Sequence, residues 1–244
     1  GDMQTIRRKL NTGGDEALND DVCVNSHICP ESRFELMPIA ISSSRTRPFL
    51  KIQDGCDAFC TYCIVPHARG RSRSMPFEFV LDGIKRLANA GYREVVLTGV
   101  HLGVYGRDLI PASGLSKVLS RIRDTNPIER IRLSSIEPLE LTGEILQHVA
   151  ENSIFCRHFH IPLQSGDAGI LAKMGRPYSP QLFHDLVLRI HQQMPDAAIG
   201  VDALIGFPGE SETAFERTYE LIAKLPVSYL HVFPFSSRPG TAAA

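Results

Sequence analysis

The chain has 244 residues, 43% of them hydrophobic, enough to bury the core of one large domain. A formal net charge of −1 excludes a uniformly polycationic RNA binder, so any RNA contact must come from a local basic patch or from parts beyond this chain. There is no apolar stretch long enough to span a bilayer, and the opening residues lack the apolar segment of a secretory signal.

Residues 1–45 are rich in Asn, Asp, Ser and Gly without a sustained period, and read as a linker or the remnant of a preceding domain. From residue 46 to 244 short apolar runs alternate with longer amphipathic ones. The first strand is expected at Phe49–Gln53. A helix follows, with Pro76 at its start and Gly91 at its end. The β-branched run Glu94–Gly99 is the second strand, Leu115–Ile122 a helix, and Arg130–Ser134 the third strand. Helix Glu144–Ala150, strand His158–Leu163 and a helix opened by Ser179 and Pro180 come next. Strand Ala198–Phe207, helix Glu212–Leu225 capped by Ser211, and strand Tyr229–Phe235 complete the series. Such alternation requires parallel strands joined by crossover helices. Pattern alone leaves an open barrel and a doubly wound sheet as alternatives.

The chemistry concentrates in Gly55–Cys63, GCDAFCTYC, directly after the first strand. Six cysteines without a secretory signal, three of them within this loop, point to a reducing cytoplasm and to metal ligation rather than disulfides. Cys56, Cys60 and Cys63 can face one centre, and soft thiolates suit iron–sulfur clusters. A four-iron cluster on three cysteines leaves one iron open. The alternative is a structural zinc module, which needs a fourth ligand, and His67 is the candidate. Small residues with one polar group end the later strands, as close backbone approach to a ligand requires, although ordinary turns use the same residues. Arg69, Arg71 and Arg73, with Arg45 and Arg47 upstream, form a basic cluster suited to phosphate, or else a solvated loop. His101 stands beside a strand end, as a substrate contact or a packed residue. His158 and His160 share one strand face, for packing or for a metal. Cys156 reads as a buried small hydrophobe in a helix-to-strand turn.

The C-x3-C-x-aromatic-C loop after the first strand resembles the radical S-adenosylmethionine superfamily. The resemblance implies a partial (β/α)6 TIM-like barrel, a 4Fe-4S cluster on Cys56, Cys60 and Cys63, and S-adenosylmethionine cleaved reductively to a 5′-deoxyadenosyl radical. It also places Tyr62 near the adenine, with Thr98, Gly99, Ser135, Glu137, Gln164 and Ile205 at the cofactor, Glu137 toward the ribose. The strings QDGCDAFCTYCIVPHARGRSRS, SSIEP, HIPLQSG, IGFPGE and HVFPFSSRPGT resemble the methylthiotransferase branch from about residue 46 onward. GVHLGVYG at Gly99–Gly106 is most similar to enzymes acting on N6-threonylcarbamoyladenosine beside the tRNA anticodon. Branch members acting on isopentenyladenosine or a ribosomal-protein aspartate are the neighbouring alternatives, and a radical methyltransferase without sulfur insertion is a further one. The resemblance implies the tRNA anticodon stem-loop and a flavodoxin or ferredoxin reductant as partners, and the residues themselves offer Arg69, Arg73 and His101 as substrate or phosphate contacts. Branch members also carry an N-terminal domain with three further cysteines and a C-terminal RNA-binding barrel. Cys23 and Cys29 do not fit that N-terminal pattern, so the chain is expected to be the central radical-generating domain, unable by itself to methylthiolate tRNA.

Overall fold

The computed structural model describes residues 34–36 and 46–244, all within the unit Arg33–Ala244. Residues 1–33 and 37–45, with Cys23, Cys29 and Arg45, lie outside the described residues. The elements are β1 (Phe49–Asp54), α1 (Val65–Arg69), β2 (Arg73–Ser74), α2 (Phe77–Asn89), β3 (Glu94–Gly99), a 3-10 turn (Leu102–Val104), α3 (Leu115–Thr125) and β4 (Arg130–Leu133). They continue as α4 (Gly143–Glu151), β5 (His158–Gln164), α5 (Ala168–Lys173), α6 (Pro180–Gln193), β6 (Ala198–Ile205), α7 (Glu212–Ala223) and β7 (Tyr229–Pro234). No described helix is long and apolar enough to cross a membrane.

Two hydrogen-bonded sheets, β2-β1-β3-β4 and β5-β6-β7, meet side by side. Only β2 is antiparallel. The junction is stitched by Ile131 N–H to Ile154 O (2.7 Å), Cys156 N–H to Ile131 O (2.8 Å) and Ile136 N–H to His160 O (3.0 Å). The six long parallel strands thus form one arc, β1-β3-β4-β5-β6-β7, and among the described residues β7 pairs only with β6. This is the open, partial barrel.

Alternation along each strand sets its two faces. Ile52, Leu97, Ile131, Ile161 and Val201 point outward and are fully buried against the helices. The opposite face is polar, carrying Arg132, Ser134, His158, His160 and Asp202. It is left open as a lumen, unlike the side-chain-filled interior of a closed eight-stranded barrel. Thr142, Asp167, Ser179 and Ser211 cap α4, α5, α6 and α7 through side-chain oxygens. Gly91, at φ +91°, closes α2: Tyr92 N–H bonds to Leu87 O and Gly91 N–H to Ala88 O.

The expected long elements are present. Strand Ala198–Phe207 stops at Ile205, because Gly206 leaves the strand at φ +78°. Elements α1, β2, the 3-10 turn and α5 were not readable, being too short to show a period.

Candidate functional site

The cysteine loop starts where β1 ends in two buried polar residues. Asp54 Oδ1 accepts the Gly55 N–H (2.9 Å), and Gly55 turns at φ +74°. A Cβ there would stand 2.0 Å from Arg71 O and 2.7 Å from Gly70 O, so only glycine lets the returning strand pass. Cys56 N–H then bonds to Gly70 O at 3.0 Å. The Gln53 side chain, fully buried, knots this base together. Its Nε2 donates to Asp54 O, Gly55 O and Ser72 Oγ, while its Oε1 accepts the His101 N–H at 2.7 Å. The far side of the loop is held by Thr61, whose N–H reaches Met174 O, whose hydroxyl reaches Lys173 O, and whose carbonyl accepts from Ala243 N–H.

All three thiols are half-buried. Cys56 Sγ lies 3.4 Å from His101 Nδ1, and Arg176 Nη1 donates to Cys60 Sγ at 3.3 Å. Burial pushes the Cys63 thiol up, and the neighbouring Cys60 and Cys56 add to the shift. Neighbouring thiols oppose one another's ionisation unless a cation joins them. His101 is subject to burial, which depresses its pKa. Cys56 and Glu140, whose carboxylate is 2.8 Å from Nε2, outweigh that and push it up to about 10. Arg176 is almost fully buried. It pairs with Glu137, reaches the Tyr178 hydroxyl at 3.1 Å, and forms one wall of a cavity of about 230 Å³ shared with Cys60, His101 and Glu140. Burial holds the Glu137 carboxyl above the usual range despite Arg176 and His101.

The remaining sequence candidates gather unequally. Thr98 and Gly99 end β3, and Gly99 has no room for a Cβ because Gln53 fills that space (2.7 Å to Oε1). Ser135 is exposed beyond β4 and lines the lumen. Gln164 ends β5 in the left-handed region at φ +65°. Ile205 ends β6, its carbonyl accepting from Phe235 N–H at 2.7 Å. The Tyr62 ring packs edge-on to Phe207, 6.4 Å between centroids. The basic cluster divides. Arg73 turns inward to Asp54 and to the carbonyls of Arg69 and Arg71, Arg71 lies beside Asp57, and Arg69 stays exposed. His67 is exposed and stacks edge-on to Phe59. One tetrahedral ion draws thiolate ligands to within about 4 Å of each other. Among the described residues, the only His/Cys/Asp/Glu set gathered within 4.8 Å is His160, Asp202 and His231. Cys56, Cys60, Cys63 and His67 are therefore not arranged around a single zinc ion. Sequence reasoning passed over Gln53, Glu140, Arg176 and Tyr178. The Gly-Arg-Pro-Tyr run at 175–178 was the one visible signal.

The family model for the radical SAM superfamily matches residues 50–222. The chain belongs to the radical SAM superfamily. Within it, the chain is 41% identical over 221 residues to the threonylcarbamoyladenosine tRNA methylthiotransferase MtaB of Bacillus subtilis, covering 90% of this chain and 49% of that protein. It is 38% identical over 214 residues to the tRNA-2-methylthio-N(6)-dimethylallyladenosine synthase of Clostridium botulinum, covering 88% and 47%. The chain thus spans about half the length of the curated relatives it matches. In fold it is similar to the radical S-adenosylmethionine methyltransferase TsrM of Kitasatospora setae, at a TM-score of 0.68 and 20% identity over 80% of this chain and 38% of that one.

The residues present fit the superfamily's cluster. Three mutually opposing thiols are spaced too widely for one ion and sit at the C-terminal mouth of the arc. Ala58 N–H and Arg176 Nη1 donate to two of the sulfurs, as hydrogen bonds to cluster sulfurs do.

Proposed function

We propose that this chain is the radical-generating core of a tRNA methylthiotransferase whose target is N6-threonylcarbamoyladenosine beside the anticodon. The reading rests on one observation: a three-cysteine loop at the strand ends of a partial barrel, in a chain 41% identical over 221 residues to an enzyme named for that reaction. The domain is 46–244. Cys56, Cys60 and Cys63 would hold a 4Fe-4S cluster, which when bound with S-adenosylmethionine supplies one electron and a carbon-centred radical.

The chain's own residues do the rest. Gln53 and Gly55 fix the loop, and the Arg176–Glu137 pair keeps a buried, oriented polar wall beside Cys60. Thr98, Gly99, Ser135, Gln164 and Ile205 rim the mouth, where close backbone approach positions a ligand. Tyr62, packed on Phe207, offers an aromatic edge to a nucleobase. His101 and exposed Arg69 are the contacts for substrate phosphate or base, while Arg73 acts by holding the loop. A flavodoxin or ferredoxin would deliver the electron.

The 38% identity to a dimethylallyladenosine enzyme supports the neighbouring substrate as a second reading. A chimera decides between them. This chain replaces the matching segment of the Bacillus subtilis enzyme in cells lacking both tRNA methylthiotransferases, and nucleosides are read by mass spectrometry. Methylthio-threonylcarbamoyladenosine is expected. Methylthio-dimethylallyladenosine alone would assign the second substrate.

A further inference from the structure

The lumen holds a second constellation, away from the cysteine loop. Asp202 on β6 stands in register with His231 on β7, and His160 comes from β5 on the other side. His160 Nε2 is 2.8 Å and His231 Nδ1 3.3 Å from the same Asp202 Oδ1. That oxygen is buried, yet no donor among the described residues meets it with hydrogen-bond geometry. Both imidazoles converge on it at ion-pair distance, without the alignment of a hydrogen bond. A carboxylate and two imidazole nitrogens within 4.8 Å of one another are a set of donor atoms suited to chelation.

The surroundings organise that set. The Tyr229 hydroxyl lies 3.1 Å from His160 Nδ1 and 2.7 Å from His158 Nε2. Tyr229 reaches across β6 because position 200 is glycine: a Cβ there would fall 2.0–2.3 Å from the Tyr229 ring. The assignment that satisfies the relay has His160 Nδ1–H donating to Tyr229 and the Tyr229 O–H donating to His158. His160 Nε2 then keeps its lone pair free. A hydrogen bond to the distal ring nitrogen is what orients metal-bound histidines. Arg132 and Arg47, which share the cavity, both pair with Glu94, Arg132 at 2.8 Å.

We propose that His160, Asp202 and His231 bind one divalent first-row transition ion in the barrel lumen, with Tyr229 as its orienting partner. Two imidazoles and one carboxylate favour Zn²⁺, Fe²⁺ or Co²⁺ over Mg²⁺ or Ca²⁺. Its remaining positions face a cavity of about 750 Å³, where water or an oxygen ligand of a substrate completes the shell.

Co²⁺ is the probe, added to the full chain with Cys56, Cys60 and Cys63 replaced by alanine so that the loop cannot bind it. The expected result is one saturable equivalent with ligand-field bands and no thiolate charge transfer. Asp202→Asn and His231→Gln should each weaken binding more than tenfold, and Tyr229→Phe about tenfold. His184→Ala, a half-buried imidazole on α6, should leave binding unchanged. Circular dichroism checks that each variant is folded. Independently, Zn²⁺ should raise the melting temperature of the triple-alanine chain and not of the same chain carrying the isosteric Asp202→Asn. Absence of saturable binding, a thiolate charge-transfer band, or equal binding by Asp202→Asn overturns the proposal.

Discussion

Gly55→Ala perturbs the point where β1 hands the chain to the cysteine loop. The backbone there has φ +74°, which for an alanine costs about 1–2 kcal/mol. The new methyl would also stand 2.0 Å from Arg71 O and 2.7 Å from Gly70 O, backbone atoms that no rotamer change can move. Forcing them apart adds about 1–3 kcal/mol and loosens the Cys56 N–H to Gly70 O bond. Gly91→Ala is the matched control: φ is +91°, but nothing lies within 4 Å of the added carbon, so only the conformational cost applies. Urea midpoints at constant m-value report the difference directly. Gly55→Ala should be less stable than Gly91→Ala by about 1–3 kcal/mol and should retain less iron after reconstitution. Equal destabilisation would refute the packing argument for the loop base.

Three further outcomes follow from buried polar groups. Glu94 is buried with Arg130, Arg132 and Arg47 around it. Burial works to raise its pKa, but the hydrogen bonds from Arg132 and Arg130 prevail and hold it below the usual carboxylate range. A depressed pKa contributes stability that is present above the unfolded value of about 4.3 and lost as pH falls below it. Glu94→Gln should therefore lower the melting temperature at neutral pH, and the gap to the parent should close below about pH 4, measured by calorimetry. Gln53→Ala strips partners from the His101 N–H and the Gly55 carbonyl, and about 2–4 kcal/mol should be lost in chemical denaturation. Arg176→Met leaves the half-buried Glu137 carboxylate unpaired and should cost about 1–3 kcal/mol, while Arg176→Met with Glu137→Gln should recover most of it.

The strand–helix rhythm was readable because each long strand alternates an apolar helix-facing side with a polar lumen side, and each long helix carries its own stripe. HFHIPL shows both faces: Phe159, Ile161 and Leu163 enter the core while His158 and His160 line the lumen. The three cysteines were legible because their spacing is local. The groups that surround them were not. Glu140 and Arg176 meet His101 and Cys60 only through the arc's curvature, from loops 39 and 116 residues further along the chain. The division of the arginine cluster was hidden for the same reason. Charges adjacent in sequence diverged once Asp54 and two loop carbonyls took Arg73 inward. His158 and His160 showed a shared face, but Asp202, Tyr229 and the bare position at Gly200 that joins them come from neighbouring strands.

The central claim is that Cys56, Cys60 and Cys63 hold a redox-active cluster that cleaves S-adenosylmethionine. The direct measurement is anaerobic reconstitution of this chain with iron and sulfide, reduction, addition of S-adenosylmethionine, and quantification of 5′-deoxyadenosine by chromatography. About four irons per chain and 5′-deoxyadenosine in at least equimolar yield are expected, with both lost when the three cysteines are alanine. A chain that takes up a single zinc in place of iron and releases no 5′-deoxyadenosine would contradict the account.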